Sequence, residues 1–331
     1  MALPSTAITR TELGATFSEF DLAASRAGFI GARVLRPRAV GVQAADVGKI
    51  PIEALLVTKD DTRAPGAGYR RGDFEFTKFS YATDEHGWEE PMDDRTLAMY
   101  ADLLDAESIH TQRAMDMVLR NYEIAAAAAV YDTAVWTGAA LTLAITEEWD
   151  TAASAVPISD VAYAKQKIRA NSGLEPNALI CNRKQFEGIC ASAQVIDRIK
   201  YWGGDDPKNI TEQMIAALLG LDYILVAGGI KSTAKEGQSA VLAACWSDEY
   251  AMVARVAVTD DPQEPCVGRT FMWTGDSATG AAGPGGGELA LTVEEYREES
   301  VRGSVIRARN DRDIVVMYPE AAFLFSNAIT I

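Results

Sequence analysis

Between Asp94 and Trp136 the chain reads RTLAMYADLLDAESIHTQRAMDMVLRNYEIAAAAAVYDTAVW after the first aspartate, with no glycine and no proline. At about 1.5 Å per residue, a helix of this length is a rod of roughly 60 Å, far longer than the usual globular helix of about eleven or twelve residues. Leu97, Tyr100, Leu104, Val118, Tyr122, Ala126 and Ala129 recur near helical spacing, and the paired Asp93 and Asp94 supply an N-cap. The spacing predicts an amphipathic helix over 94–136. A strict heptad breaks down across Ser108 to Arg113, and the charges exclude a membrane span. The alanine run Ala125 to Ala129 lets another backbone come close. The helix reads as a spine against which other elements lie.

With 331 residues, 48% of them apolar, the chain can bury a sizeable core and is expected to form two or more lobes. Its net charge of -16 argues against a protein whose main task is gripping nucleic acid phosphates. Cys181, Cys190, Cys245 and Cys266 lack CxxC spacing and sit in mostly apolar surroundings, which predicts buried reduced thiols rather than a disulfide frame or a zinc site. The start MALPSTAITRTEL has no basic segment followed by an apolar core, and no apolar run reaches about 18 residues. Neither a secretion signal nor a membrane anchor is expected, and the protein is expected to be made and kept in a cytosol.

Residues 1 to about 48 read as an extended arm that needs another surface to hold it, with a basic group of Arg26, Arg33, Arg36 and Arg38. Those arginines suit acidic neighbours or nucleic acid, or plain solvent. From Ile50, IPIEALLVTKDD and FEFTKFSY flank TRAPGAGYRRGD, which predicts a long β-hairpin with a flexible basic tip at Arg63, Arg70 and Arg71. An isolated hairpin is marginal in water, so this one should lie on something else. ATDEHGWEEPMDD then places an acidic cluster before the spine, where negative charge suits a helix N-terminus.

After the spine, LTLAI is a short strand. A helix follows from Ser159 to about Asn171, opened by Ser159 and Asp160 and closed by Gly173. PNALICN is a strand, RKQFEGICASAQVIDRIK a helix, YWGGDDPKN an exposed turn, TEQMIAALLG a helix ending on Gly220, and LDYILVAGG a strand. QSAVLAACWSDEYAMVARV supplies one or two more strands, completing a mixed α/β layer. From about Val256 the pattern is β-rich: FMWTG, the loop DSATGAAGPGGG, ELALTVEEYREES, and then GSVIRARND turning tightly at Asn310 and Asp311 into DIVVMYPEAAFLFSN. The C-terminal strand is predicted to be buried in the middle lobe's sheet.

Catalytic constellations are scarce. His86 and His110, one in an acidic loop and one on a long exposed helix, are read as surface residues and build neither a Ser/His/Asp triad nor a multi-histidine metal site. No GxxxxGK[ST] loop exists, and GPGGGE at Gly283 to Glu288 does not lead from a strand into a helix as a dinucleotide fingerprint requires. The pairs Asp205 with Asp206 and Asp260 with Asp261 fit solvated loop acids better than acid/base or cation sites. Trp202, beside Gly203 and Gly204, either anchors a partner or packs in a core. No catalytic residue, cofactor site or metal site is expected.

The order of arm, Gly-tipped hairpin, spine, α/β lobe, β-rich return and apolar last strand resembles the major capsid proteins of tailed bacteriophages. ISDVAYAKQKIRANSGLEPNALICNRKQFEGI, NITEQMIAALLGLDYILVA and CWSDEYAMV resemble that family's helix, G-x-x-P-N turn into a strand, leucine-rich helix, and late tryptophan and aspartate. The resemblance covers most of the chain from about Ile50, and element order carries it.

It implies an α+β Hong Kong 97-type capsid fold. The N-terminal arm would be 1–48 and the extended loop 49–90. The peripheral domain would comprise 91–152 and 256–315, with the spine helix 94–136, and the axial domain 153–255 and 316–331. It further implies self-assembly as pentamers and hexamers into an icosahedral shell of a virion, built in the host cytoplasm, enclosing double-stranded DNA without sequence-specific binding and without a membrane. Arg33, Arg36, Arg63, Arg70, Arg71, Trp202, Gly203 and Gly204 become inter-subunit contact candidates, with Trp202 near a symmetry axis. Portal and decoration proteins are implied partners. With fewer than about 95 residues before the spine, a separate scaffolding protein or none is expected, and Lys59 and Lys78 alone do not establish cross-linking. An encapsulin-type shell holding a cargo enzyme is the alternative, and a cytosolic α/β enzyme a more distant one.

Overall fold

The computed structural model of the protein describes residues 8–9, 28–49, 51, 54, 56–72, 77–100, 106–201, 210–235, 237–239, 241–261, 264–275, 289, 291–300 and 302–330. Its elements begin with β1 (Ile8–Thr9), α1 (Gly31–Val34), β2 (Pro37–Val40), β3 (Ala44–Lys49), β4 (Thr77–Ala82) and β5 (Asp84–Asp93). Then come α2 (Asp94–Tyr100), α3 (Ala106–Val130), β6 (Thr142–Ala144), α4 (Pro157–Ser172), β7 (Ala178–Asn182), α5 (Arg183–Ala191), α6 (Ala193–Tyr201) and α7 (Glu212–Leu219). The chain finishes with β8 (Tyr223–Ala227), β9 (Ile230–Ser232), β10 (Leu242–Ala244), β11 (Ala251–Ala254), β12 (Gly268–Trp273), β13 (Thr292–Glu298), β14 (Gly303–Val316) and β15 (Ala322–Ser326).

Along α3 two adjacent rows at i+4 spacing are buried: Ala114, Val118, Tyr122, Ala126 and Val130, and Thr111, Met115, Leu119, Glu123 and Ala127. They give the helix a wide buried face. That face meets Met92, Val293, Ile306 and Ala308 from one sheet and Ala178, Ile180, Met252 and Leu324 from another. The first sheet runs β1-β13-β14-β12-β2, with β5 also on β14; the second runs β6-β15-β11-β7-β8. In the second, side chains alternate across the two faces. Ile180 joins the core under α3, whereas Leu179 and Cys181 join a separate core with Val161, Ile168, Phe186, Ile189, Val195, Ile199, Ile215 and Leu219 of α4 to α7. Both faces are covered, so β7 is buried throughout.

The helix boundaries in this lobe follow local chemistry. Thr211 accepts from the Met214 amide to start α7, Pro157 occupies the first turn of α4, and Gly173 and Gly220 end α4 and α7 in left-handed conformations at φ 69° and 62°. The expected apolar C-terminal strand is β15, between β6 and β11 in the second sheet.

Five expectations are corrected. The spine is α2 and α3, with residues 101–105 outside the described ones, and it stops at Val130 rather than Trp136. The Trp136 indole folds back to donate to the Val130 carbonyl at 2.7 Å, and the Asp132 side chain accepts from the Ala134 amide at 2.9 Å, so the chain turns there. The predicted hairpin exists, but β3 and β4 form it in antiparallel register from Ala44↔Ala82 to Lys49↔Thr77. Its first strand therefore lies within the expected arm, and the described residues of IPIEALLVTKDD carry no strand. The acidic segment before the spine is itself a strand, β5, paired with β14 from Gly303↔Asp93 to Arg312↔Asp84. Asn310 and Asp311 lie inside the continuous β14 rather than in a turn; both are buried, and Asn310 donates to the Leu289 carbonyl at 3.3 Å. The predicted helix over RKQFEGICASAQVIDRIK is two helices, because Ser192 is extended at ψ 138°.

The hairpin does rest on another element. Tyr81 stacks on Phe271 of β12 with centroids 4.7 Å apart, and Phe79 lies 5.9 Å from the same ring. The alanine run also admits a close neighbour: Gly31 packs so tightly on α3 that an added Cβ would lie 3.0 Å from the Ala126 methyl.

Candidate assembly surfaces

The connection between β3 and β4 is exposed through residues 57–72. Asp60 accepts from the Thr62 amide at 3.0 Å, and this bond holds its carboxyl below the usual carboxylate range. Arg70 reaches Asp60 at 2.9 Å; Arg63 donates to the Ala67 carbonyl at 2.5 Å and lies 4.6 Å from the Tyr69 ring centroid. Gly66, at φ 82°, supplies the left-handed backbone of the turn. The loop is thus shaped by its own short contacts; Leu56 lies beside Gly173 at the end of α4, while Val57 is 55% exposed and Tyr69 77%. Arg71 is exposed as well.

Arg33 and Arg36 share a second surface. They line a cleft of about 440 Å³ together with Pro37, Tyr223, Val258 and Asp260. Arg36 is committed within the subunit, its Nε 2.6 Å from Asp260 Oδ1, and that pairing keeps Asp260 ionised below its ordinary range. Arg33 is exposed at the end of α1. The remaining contact candidates, Trp202, Gly203 and Gly204, lie outside the described residues, as do Asp205, Asp206 and the run Gly283 to Glu288.

A third surface is the charged face of β5 and β14. Arg307 Nε lies 2.6 Å from Glu89, Arg309 3.5 Å from Glu85 and 2.9 Å from Glu294 of β13. On the other side of β5, Glu90 turns toward α3, 3.6 Å from His110 Nδ1 and 3.5 Å from Arg113. His86 is exposed as expected, but His110 is half-buried against Glu90 rather than on an open helix face. Trp88, 42% exposed, donates to Glu90 at 3.0 Å.

Sequence reasoning missed one group beside residues 30 and 31. Glu123, 1% exposed, accepts from the amides of Ile30 at 2.7 Å and Gly31 at 2.8 Å and from the Trp246 indole at 2.6 Å. Its place in the buried row Thr111, Met115, Leu119, Glu123, Ala127 is the one sequence signal that marks it. Among the described residues no group of His, Cys, Asp and Glu could hold a metal ion, and no helix is long and apolar enough to cross a membrane. The cysteines are free thiols; Cys181, Cys245 and Cys266 are buried, and Cys190 is half-buried.

These surfaces belong to a fold with known counterparts. No family model matches the sequence. The chain is 23% identical over 253 residues to the major capsid protein of Burkholderia phage BcepMu, covering 76% of this chain and 80% of that one. Among solved structures, a phage-related protein from Bordetella bronchiseptica RB50 superposes with a TM-score of 0.69 at 21% identity, covering 98% of both chains. The mature capsid of bacteriophage PhiM1 gives a TM-score of 0.53 at 14% identity, over 88% of this chain and 85% of that one. The chain thus has the fold of these phage proteins, the Hong Kong 97-type fold that the order of its elements implied, and is similar in sequence to a phage major capsid protein.

Proposed function

We propose that this chain is the major capsid subunit of a tailed double-stranded DNA phage, assembling with itself as pentamers and hexamers into a closed shell. The observation that carries this reading is the β3–β4 loop. It leaves Val57 and Tyr69 in solvent beyond the β3–β4 ribbon, exposed apolar area of the kind that another surface covers. A second copy supplies that surface in a symmetric assembly, where every subunit gives and receives the same contact. The exposed Arg71 and the Arg63 and Arg70 beside Tyr69 suit a chain of net charge -16, since a neighbour is rich in carboxylates.

On this reading the role is structural rather than catalytic, and the enclosed DNA is held without base-specific contacts by a predominantly acidic container. The residues before Ala44 serve as the arm and the β3–β4 hairpin, 44–82, as the extended loop; 84–152 and 256–315 form the peripheral domain, and 153–255 with 316–331 the axial domain. A portal, decoration proteins and a separate scaffolding protein are the partners of such a shell, which belongs to the virion and forms in the host cytoplasm.

Expression of the intact chain alone, viewed by negative-stain electron microscopy and sized by light scattering, tests the reading. Closed shells, rings of five or six, or curved sheets are expected. A monodisperse monomer that stays monomeric at high concentration and with a co-expressed scaffold would overturn it. Shells that co-purify with a specific enzyme and no nucleic acid would move the assignment to a cargo compartment.

A further inference from the structure

The Glu123 carboxylate joins three stretches that are far apart in sequence. It sits on α3, takes the Ile30 and Gly31 amides at the root of the arm, and takes the Trp246 indole from the turn before β11. Beside it the Gly28 carbonyl accepts from both Gly228 and Gly229 amides at 2.9 Å, just after β8. The fit leaves no room for side chains. A Cβ on Gly31 would stand 2.7 Å from Glu123 Oε2, and one on Gly28 would stand 2.7 Å from the Gly228 carbonyl carbon. Arg120, one turn before Glu123, donates to the Ile230 carbonyl and lies 5.7 Å from the Phe29 ring centroid. Trp246 is held in turn by an edge contact with Tyr131, centroids 5.2 Å apart, just past the end of α3.

We infer that Glu123 is a clasp that makes the docking of residues 28–31 conditional on the contact between the long helix and the second sheet, so that arm and sheet are released together. The reason is chemical. A fully buried carboxylate needs its donors, because an ionised group stripped of hydrogen bonds in an apolar site is strongly unfavourable. If α3 shifts relative to β8 and β11, Glu123 loses Trp246 and the Gly28 carbonyl is drawn off the Gly228 and Gly229 amides, and the two donors left to Glu123, Ile30 and Gly31, do not satisfy it alone. Conversely, an arm that leaves strips two of its three donors and loosens the helix from the sheet. The consequence for a shell rests on the capsid reading: arm exchange and domain rotation in a subunit become one event rather than two.

Hydrogen exchange by mass spectrometry on the full-length protein tests the clasp independently of assembly. Two variants are compared with the native chain: Glu123→Gln, which turns an acceptor into a donor facing N–H groups, and Gly31→Ala, which wedges the arm away and leaves the charge intact. Peptides spanning 28–35 and 226–230 are expected to exchange at least about tenfold faster together in both variants, with β7 and β11 unchanged. Faster exchange at 28–35 alone would overturn the coupling. Unchanged exchange in both variants, or a rise across the whole chain in both, would overturn the clasp. Light scattering on the same samples reports assembly separately, so a chain that never assembles while showing the coupled exchange counts against the capsid reading and not against the clasp.

Discussion

Arg309 on β14 meets Glu294 on β13 at 2.9 Å with side-chain exposures of only 11% and 8%. Glu294 has a second, longer contact with Arg307 at 3.5 Å. Replacing Arg309 with Met leaves a mostly buried carboxylate with the weaker partner alone, and is expected to destabilise the subunit by about 2–3 kcal/mol. Replacing Glu89, which is 44% exposed opposite Arg307, is expected to cost less than about 1 kcal/mol. Urea midpoints of the unassembled chain decide the ranking, and equal losses would refute it.

Glu123 carries a pH signature. Burial holds its carboxyl above the usual carboxylate range, against the hydrogen bonds from Ile30, Trp246 and Gly31 that pull it down. In the unfolded chain it titrates near about 4.3. Between that value and the higher folded one, the native state keeps a proton that the unfolded state has released. The group's stabilising contribution is therefore complete below the unfolded value and is lost as pH rises through the folded one. Urea midpoints of the native chain should fall relative to those of Glu123→Gln across this interval. Parallel pH curves for the two proteins would contradict the shift.

The thiols are expected to be inert in the folded subunit. Burial pushes Cys190 up to about 11, and raises Cys181, Cys245 and Cys266 as well. Since the thiolate is the nucleophile, only about a thousandth of Cys190 is reactive near pH 8. A chromogenic disulfide reagent should titrate fewer than one thiol per chain within minutes under native conditions and all four after denaturation. Rapid native modification of Cys190 would show the environment around it to be wrong.

Deleting Ala64 to Gly72 removes Tyr69, Arg70 and Arg71 while sparing β3, β4 and the stacking of Tyr81 on Phe271. The shortened chain should keep its far-ultraviolet circular dichroism and its melting temperature within a few degrees, and should fail to form particles by light scattering. Loss of the fold itself would show that the loop serves its own subunit.

The lobe from α4 to β11 was legible because its signals are local: Thr211 before a helix, Gly173 and Gly220 after helices, and short β-branched runs between them. The first sheet was less legible because long-range pairing overrides local preference there. Asn310 and Asp311 look like a turn, yet the strand continues through them at 2% and 5% exposure, with His86 and Glu85 opposite. Gly87, Pro91 and a run of acids disfavour a strand in β5, and it forms where Arg307 and Arg309 supply the opposite charge across the ladder. The surface arginines of the loop were found from their setting, but the intramolecular bond of Arg36 to Asp260 was not, since the partner lies 224 residues away. Glu123 escaped notice for the same reason, because its donors come from residues 30, 31 and 246.

The placement of β14 and β15 has a consequence for the order of events during synthesis. β5 waits for β14, some 200 residues later, and β11 and β6 wait for β15, which is formed by residues 322–326. Neither sheet can close before residues 303–326 have been made, and long-range pairing of this kind folds slowly. A chain still short of Ala322 has β6 and β11 without the strand that lies between them, so the second sheet is among the last parts of the subunit to form.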